Sequence, residues 1–136
     1  MKVLLDTNVL IAAFITHGLC SDILEHCIRQ HKLITSEFIL NEFQEHLICK
    51  FKYDKAEARE AIELVRLKAE VVIPVVLENQ VCRDPDDDII LGTAIAGSVT
   101  CIITGDKDLL VLKRFDSVDI VSPAEFSRYE VVRRSG

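Results

Sequence analysis

Short apolar runs alternate with longer stretches of helical periodicity along this chain. Val3, Leu4 and Leu5 predict a buried strand, and the polar triplet Asp6-Thr7-Asn8 follows at once, before apolar residues resume. Val9 to Phe14 reads as a short helix broken at Thr16-His17-Gly18. A second helix is predicted from Ser21 and Asp22 to Gln30, with Ile23, Leu24, Cys27 and Ile28 on one face. Lys32 to Thr35 predicts a second strand. Ser36 and Glu37 then open a helix whose stripe is Phe38, Ile39, Phe43, Leu47 and Ile48, with Glu42 beside it.

Strong helix formers from Asp54 to Lys68 predict a further helix that buries Ala58, Ala61, Ile62, Val65 and Leu67. Val71 to Leu77 is rich in β-branched residues and reads as an edge strand, because Pro74 has no N–H to donate to a ladder. Ile89 to Ala96 reads as an apolar helix ended by Gly97, Cys101 to Thr104 as a buried strand, and Gly105-Asp106-Lys107-Asp108 as a turn. Val118 to Val121 predicts a last strand, and Ser122 with Pro123 starts a last helix. Residues 133–136 are expected to fray.

Strands alternating with helices from end to end indicate α/β class. The expected architecture is a Rossmann-like three-layer α/β/α domain, with a central, mostly parallel sheet of about five strands spanning residues 1–132. A length of 136 residues with 49% hydrophobic content suits one domain with a packed core.

Charge changes the picture in one respect. A formal net charge of -6 argues against a general polyanion binder, but not against an enzyme whose clustered acids await divalent cations. The five cysteines are scattered and form no CxxC pair, so they read as small hydrophobes in a reducing compartment. No early segment has the layout of a secretory signal, and a cytoplasmic protein is expected. No apolar run approaches the roughly 20 residues of a membrane span.

The candidate chemistry lies at the strand ends. Asp6 follows the first strand, Asp106 follows the strand ending at Thr104, and the acid run Asp84 to Asp88 opens a helix. Ligand crevices of open α/β sheets lie at the carboxyl ends of the strands. Taken alone, Asp6 is equally an N-cap, Asp106 and Asp108 are ordinary turn residues, and Glu42 is part of a polar helix face. Carboxylates from separate segments that meet in one crevice would suit Mg²⁺ or Mn²⁺, which prefer oxygen ligands.

Four stretches in this order resemble the PIN-domain family of small metal-dependent ribonucleases, which includes VapC-like toxins. They are Leu4 to Leu10, the Ser36-to-Glu42 helix, Arg83 to Leu91, and Ile102 to Leu110, so the likeness covers nearly the whole chain. The resemblance implies a PIN-domain fold and a Mg²⁺- or Mn²⁺-dependent endoribonuclease acting on single-stranded RNA. It also implies the toxin role of a type II toxin–antitoxin pair, with a protein antitoxin as partner and a homodimeric state. The metal centre it implies is built from Asp6, Glu42, Asp88 and Asp106. Asp88 is chosen over Asp87 by its distance to the Thr104 turn, with Asp87 as a supporting or alternative ligand. Thr7, Asn8 and Thr104 are the implied hydrogen-bonding support, and Asp108 a turn or cap residue.

Two other readings compete. A catalytically silent metal-binding module acting through protein association would keep the same acids. A haloacid-dehalogenase-like phosphatase would need an Asp two residues after Asp6, where Asn8 stands. His17, His26, His31 and His46 show no ligand spacing and read as surface or partly buried residues. Lys50, Lys52 and Lys55, interleaved with Phe51 and Tyr53, read as a solvated loop, with RNA contact as the alternative.

Overall fold

A computed structural model describes residues 1–135. A central sheet carries helices on both faces, and its six strands run in the order β3-β2-β1-β4-β6-β5. The strands are β1 (Lys2–Leu5), β2 (Lys32–Thr35), β3 (Ala69–Val71), β4 (Cys101–Ile103), β5 (Arg114–Phe115) and β6 (Val118–Val121). All pairings are parallel except β5 with β6. The fold is thus the expected three-layer one, with one strand more than anticipated. The extra strand, β5, is two residues long and carries no periodic signal; it forms a hairpin with β6 through Asp116, whose φ is 52°.

The central strands are apolar because both of their faces are covered. Val3, Leu4, Leu5, Ile102 and Ile103 are buried, and Ile39, Leu40, Phe43 and Leu47 pack against them from the helical layer. The helices are α1 (Thr7–Ile15), α2 (Leu19–Gln30), α3 (Glu37–Phe51), α4 (Lys55–Lys68), α5 (Pro85–Ala96), α6 (Lys107–Leu110) and α7 (Pro123–Ser135). Local capping sets several of their starts. Ser36 caps α3, and Asp54 with Glu57 forms a capping box on α4.

Some expectations change. Lys107 and Asp108, read as part of a turn, open the short helix α6, which Asp106 caps. Arg133 to Ser135, expected to fray, continue α7, while Gly136 lies outside the described residues. Leu67, expected in the core, is exposed. The predicted edge strand Val71 to Leu77 shortens to Ala69–Val71. Val72 still donates to the Thr35 carbonyl at 2.9 Å, but Pro74 interrupts the ladder and Val75 N turns to the Gly92 carbonyl on α5 at 3.0 Å. That contact requires glycine at position 92, where a Cβ would meet the Val75 carbonyl oxygen at 2.1 Å. The diverted segment leaves Ile73 and Val76 exposed and contacts α5 through Val75 and Gly92.

Candidate metal centre

The carboxyl ends of β1 and β4 lie side by side at the centre of the sheet, and the Asp6 amide donates to the Ile103 carbonyl at 3.0 Å. Asp6 and the Thr104–Asp106 turn are therefore neighbours by strand pairing alone. A crevice of about 500 Å³ opens above them. Asp6, Thr7, Asn8, Glu42, Asp84, Asp86, Asp87 and Asp106 line its acidic part, and Ile11, Ile15, His46, Lys50 and Phe51 lie along its rim.

Asp6 is buried and held by three donors. Thr7 N donates to Oδ1 at 2.7 Å, Thr104 Oγ1 to Oδ2 at 2.6 Å, and Asn8 Nδ2 to Oδ2 at 3.2 Å. Asp6 does cap α1, as local reasoning allows, but the cap occupies one oxygen and leaves the carboxylate facing the crevice. Burial pushes its carboxyl above the usual range, and the bonds from Thr104 and Thr7 only partly offset this.

Thr104 also links two acids, because its Oγ1 accepts from Asp106 N at 3.0 Å while donating to Asp6. Asn8 Oδ1 accepts from Gly105 N at 3.1 Å and ties the same turn to α1. Glu42 reaches the crevice from α3 and accepts from Thr7 Oγ1 at 2.8 Å. Burial raises its carboxyl pKa, against the lowering effect of that bond.

The acid run separates in an unexpected way. Asp88, the residue chosen from spacing, turns away from the crevice. Its two oxygens accept from Val81 N at 3.0 Å and Cys82 N at 2.8 Å, so it pins the preceding loop. Asp87 is the buried acid that faces the crevice. Successive helix residues differ by about 100° in direction, and docking of α5 on the diverted 72–77 segment aims Asp87 inward. Asp84 caps α5 by accepting from Asp86 N at 2.9 Å, and both residues line the crevice.

Electrostatics distinguishes Asp87 further. Burial, then the negative charge of Asp106, then a hydrogen bond with Asp106 push its carboxyl from 3.8 up to about 7. Repulsion of this kind between acids is a mark of functional sites. Asp87, Asp106 and Asp108 each offer an oxygen within 4.8 Å of one another. Asp108 also meets Arg83 Nη2 at 2.9 Å, at the mouth of the site. The set consists wholly of carboxylate oxygens, of which only those of Asp108 meet a cationic side chain, and it fits a hard divalent cation. The amino ends of α1 and α5 point at the same place and favour negative charge there.

Of the residues singled out from sequence, Asp6, Glu42, Asp87 and Asp106 share the crevice, with Thr7, Asn8 and Thr104 bonded among them, while Asp88 lies outside it. Sequence reasoning missed His46, and it favoured a solvated reading for Lys50 and Phe51. The signal was available, because Glu42, His46 and Lys50 stand four residues apart and share one face of α3.

Comparison with known proteins gives a family and a fold. A family model described as a PIN domain matches residues 2–108. No curated protein sequence matches the chain. Among solved structures, VapBC2 from Rickettsia felis, bound to a DNA fragment from its promoter, is similar at 17% identity and a TM-score of 0.66, covering 90% of this chain and 98% of that one. VapBC-1 from nontypeable Haemophilus influenzae is similar at 15% identity and a TM-score of 0.65, covering 91% and 99%.

Proposed function

The chain belongs to the PIN-domain family, and from that premise we propose that it is a Mg²⁺- or Mn²⁺-dependent endoribonuclease that hydrolyses phosphodiester bonds in single-stranded RNA. The observation that carries this reading is the convergence of Asp6, Glu42, Asp87 and Asp106 on one crevice at the carboxyl ends of parallel strands. In this proposal Asp6, Asp87 and Asp106 hold the cation, Glu42 completes the acid set, and Asp88 is a positioning residue for the loop at 81–82. A bound divalent cation supplies Lewis acidity, which neutralises charge on a phosphoryl oxygen and lowers the pKa of an attacking water.

The side chains around the acids divide the remaining work. Thr104 and Asn8 orient Asp6, and Thr7 orients Glu42. Lys50 and His46 lie along α3 from Glu42, where a cationic head can meet an RNA phosphate. The half-exposed ring of Phe51 gives an unpaired base a stacking surface. Single-stranded RNA is preferred because a splayed base enters such a crevice and a duplex does not.

We further propose that the chain is the toxin of a type II toxin–antitoxin pair whose protein partner covers this crevice. The two-protein assemblies among the similar structures support a partner, and the apolar rim of Ile11, Ile15 and Phe51 offers it a seat. The expected assembly is a homodimer, for which the exposed Ile73, Val75 and Val76 supply apolar surface. Five free thiols suit the reducing cytoplasm. Among the described residues no single helix is long and apolar enough to cross a membrane.

The test is cleavage of a mixed single-stranded RNA pool with Mg²⁺ or Mn²⁺, with chelator, and with Asp6→Asn and Asp87→Asn protein prepared in parallel. Metal-dependent cleavage lost in both variants is expected. Cleavage that survives unchanged in both would overturn the reading. Metal uptake without cleavage of any RNA would favour the silent module.

A further inference from the structure

A second cluster lies at the opposite end of the sheet, where β2 begins. His31 immediately precedes β2, His26 lies one turn back on α2, and Glu130 comes from α7. Nε2 of His26 is 2.8 Å from Oε2 of Glu130, and Nε2 of His31 contacts the same oxygen. One ligand atom from each of the three residues lies within 4.8 Å of the other two. From this convergence we propose that His26, His31 and Glu130 form a binding site for a zinc-class transition-metal ion, distinct from the acidic crevice.

The donor set is the first argument. Two imidazoles and one carboxylate leave a fourth position open, a set found in open zinc sites, and imidazole nitrogen selects transition metals over Mg²⁺. The direction of the rings is the second. Both imidazoles address Oε2, so three donor atoms converge on one point. Tetrahedral ligands at about 2.0–2.1 Å from zinc stand roughly 3.3 Å apart, within the 4.8 Å span of these three atoms.

The surroundings hold the ligands in place. Phe126 packs edge-on to both imidazoles, with ring centroids 6.5 Å from His26 and 6.2 Å from His31, and forms a buried apolar wall. Nδ1 of His31 lies 3.2 Å from the main-chain nitrogen of Met1. The His31 side chain is buried, while that of His26 is 40% exposed, which leaves an entry path from solvent.

The site would join a local pair, His26 and His31, to a helix about a hundred residues further along the chain. Glu130 lies beyond residues 2–108, the stretch matched by the family model, so the cluster ties the C-terminal helix to the family core. A bound ion would staple α7 to α2 and to the start of β2.

Zinc uptake by the full chain tests this. Equilibrium dialysis against Zn²⁺ should find one equivalent that persists in the double crevice variant Asp87→Asn/Asp106→Asn and is lost when His26→Gln is added to that variant. The glutamine keeps an N–H donor for Glu130 but removes the imidazole, and zinc affinity should fall by more than about 100-fold, beyond the usual cost of losing an outer-shell partner. Zn²⁺ should raise the melting temperature of the crevice variant and leave that of the triple variant unchanged. Co²⁺ loaded into the unmutated protein gives a readout that needs no variant: intense visible bands of low-coordinate, nitrogen-bound cobalt are expected. Zinc retained in full by the triple variant, zinc lost with the crevice acids alone, or only the weak bands of six-coordinate oxygen-bound cobalt would each overturn the proposal.

Discussion

The two ends of the sheet handle buried carboxylates in opposite ways. At the carboxyl ends, Asp87 faces other acids, and burial together with the charge of Asp106 pushes its carboxyl up to about 7. At the amino ends, burial also pushes the Glu130 carboxyl up, but the hydrogen bonds from His26 and His31 outweigh it and hold the group below its ordinary range. One residue class in similar burial titrates in opposite directions because its partners differ. The first environment is repulsive without a hard cation. The second is already satisfied, and its nitrogens select a softer one.

Substitutions can break this contrast at either end. The largest effect is expected from Asp87→Asn, which should reduce metal-dependent RNA cleavage at least about 100-fold, more than the loss of an outer-shell group typically costs. Asp88→Asn should retain cleavage within roughly tenfold, because Asp88 binds the backbone of residues 81 and 82 and not the crevice. Equal losses in the two variants would refute the choice of Asp87. Thr104→Val comes next, with a loss of about 10- to 100-fold, since it removes the 2.6 Å bond to Asp6 and the acceptor for Asp106 N. An unchanged rate would show that Asp6 needs no orienting partner.

Stability should report the electrostatics. Because the pKa of Asp87 is raised on folding, its protonated form stabilises the native state fully below pH 4, and that contribution fades as pH rises through about 7. In chelator, the melting temperature of the unmutated protein should therefore fall relative to that of Asp87→Asn between pH 4 and 7. Near pH 7 the variant should be more stable by about 1 kcal/mol, the usual scale when a functional site is relieved of strain. Mg²⁺ should close the gap for the unmutated protein alone. Parallel melting curves across this window would mean that the acids do not repel one another.

Asp88→Ala should cost about 1–3 kcal/mol, read by chemical denaturation, because two backbone donors lose their acceptor. The smallest effect is expected from His26→Gln, whose RNA cleavage in Mg²⁺ should stay within about twofold of the unmutated protein. A larger loss would mean that the two ends of the sheet are coupled.

Local chemistry made much of this protein legible. Apolar runs marked β1, β2, β4 and β6, caps marked α3 and α7, strong helix formers marked α4, and Asp6 and Asp106 could be placed because a residue just past a parallel strand lies at the crevice end. Those signals sit within a few residues of the structure they cause. The choice between Asp87 and Asp88 did not, since both open the same helix and differ only in rotation. Gly92 against Val75, and the loop folding back over Asp88, decided that rotation.

Val71 to Leu77 has the composition of a strand, yet Pro74 and the contact with Gly92 divert it after three ladder residues that begin at Ala69. The cluster of His26, His31 and Glu130 has no sequence spacing to announce it, because its members come from α2, the edge of β2 and α7. Periodicity and capping are local, so the amino-acid order already specifies most of the strands and helices and which acids stand at strand ends. Which neighbouring carboxylate turns inward, and which side chains from far along the chain meet, depends on how one finished element docks against another and emerges only on packing.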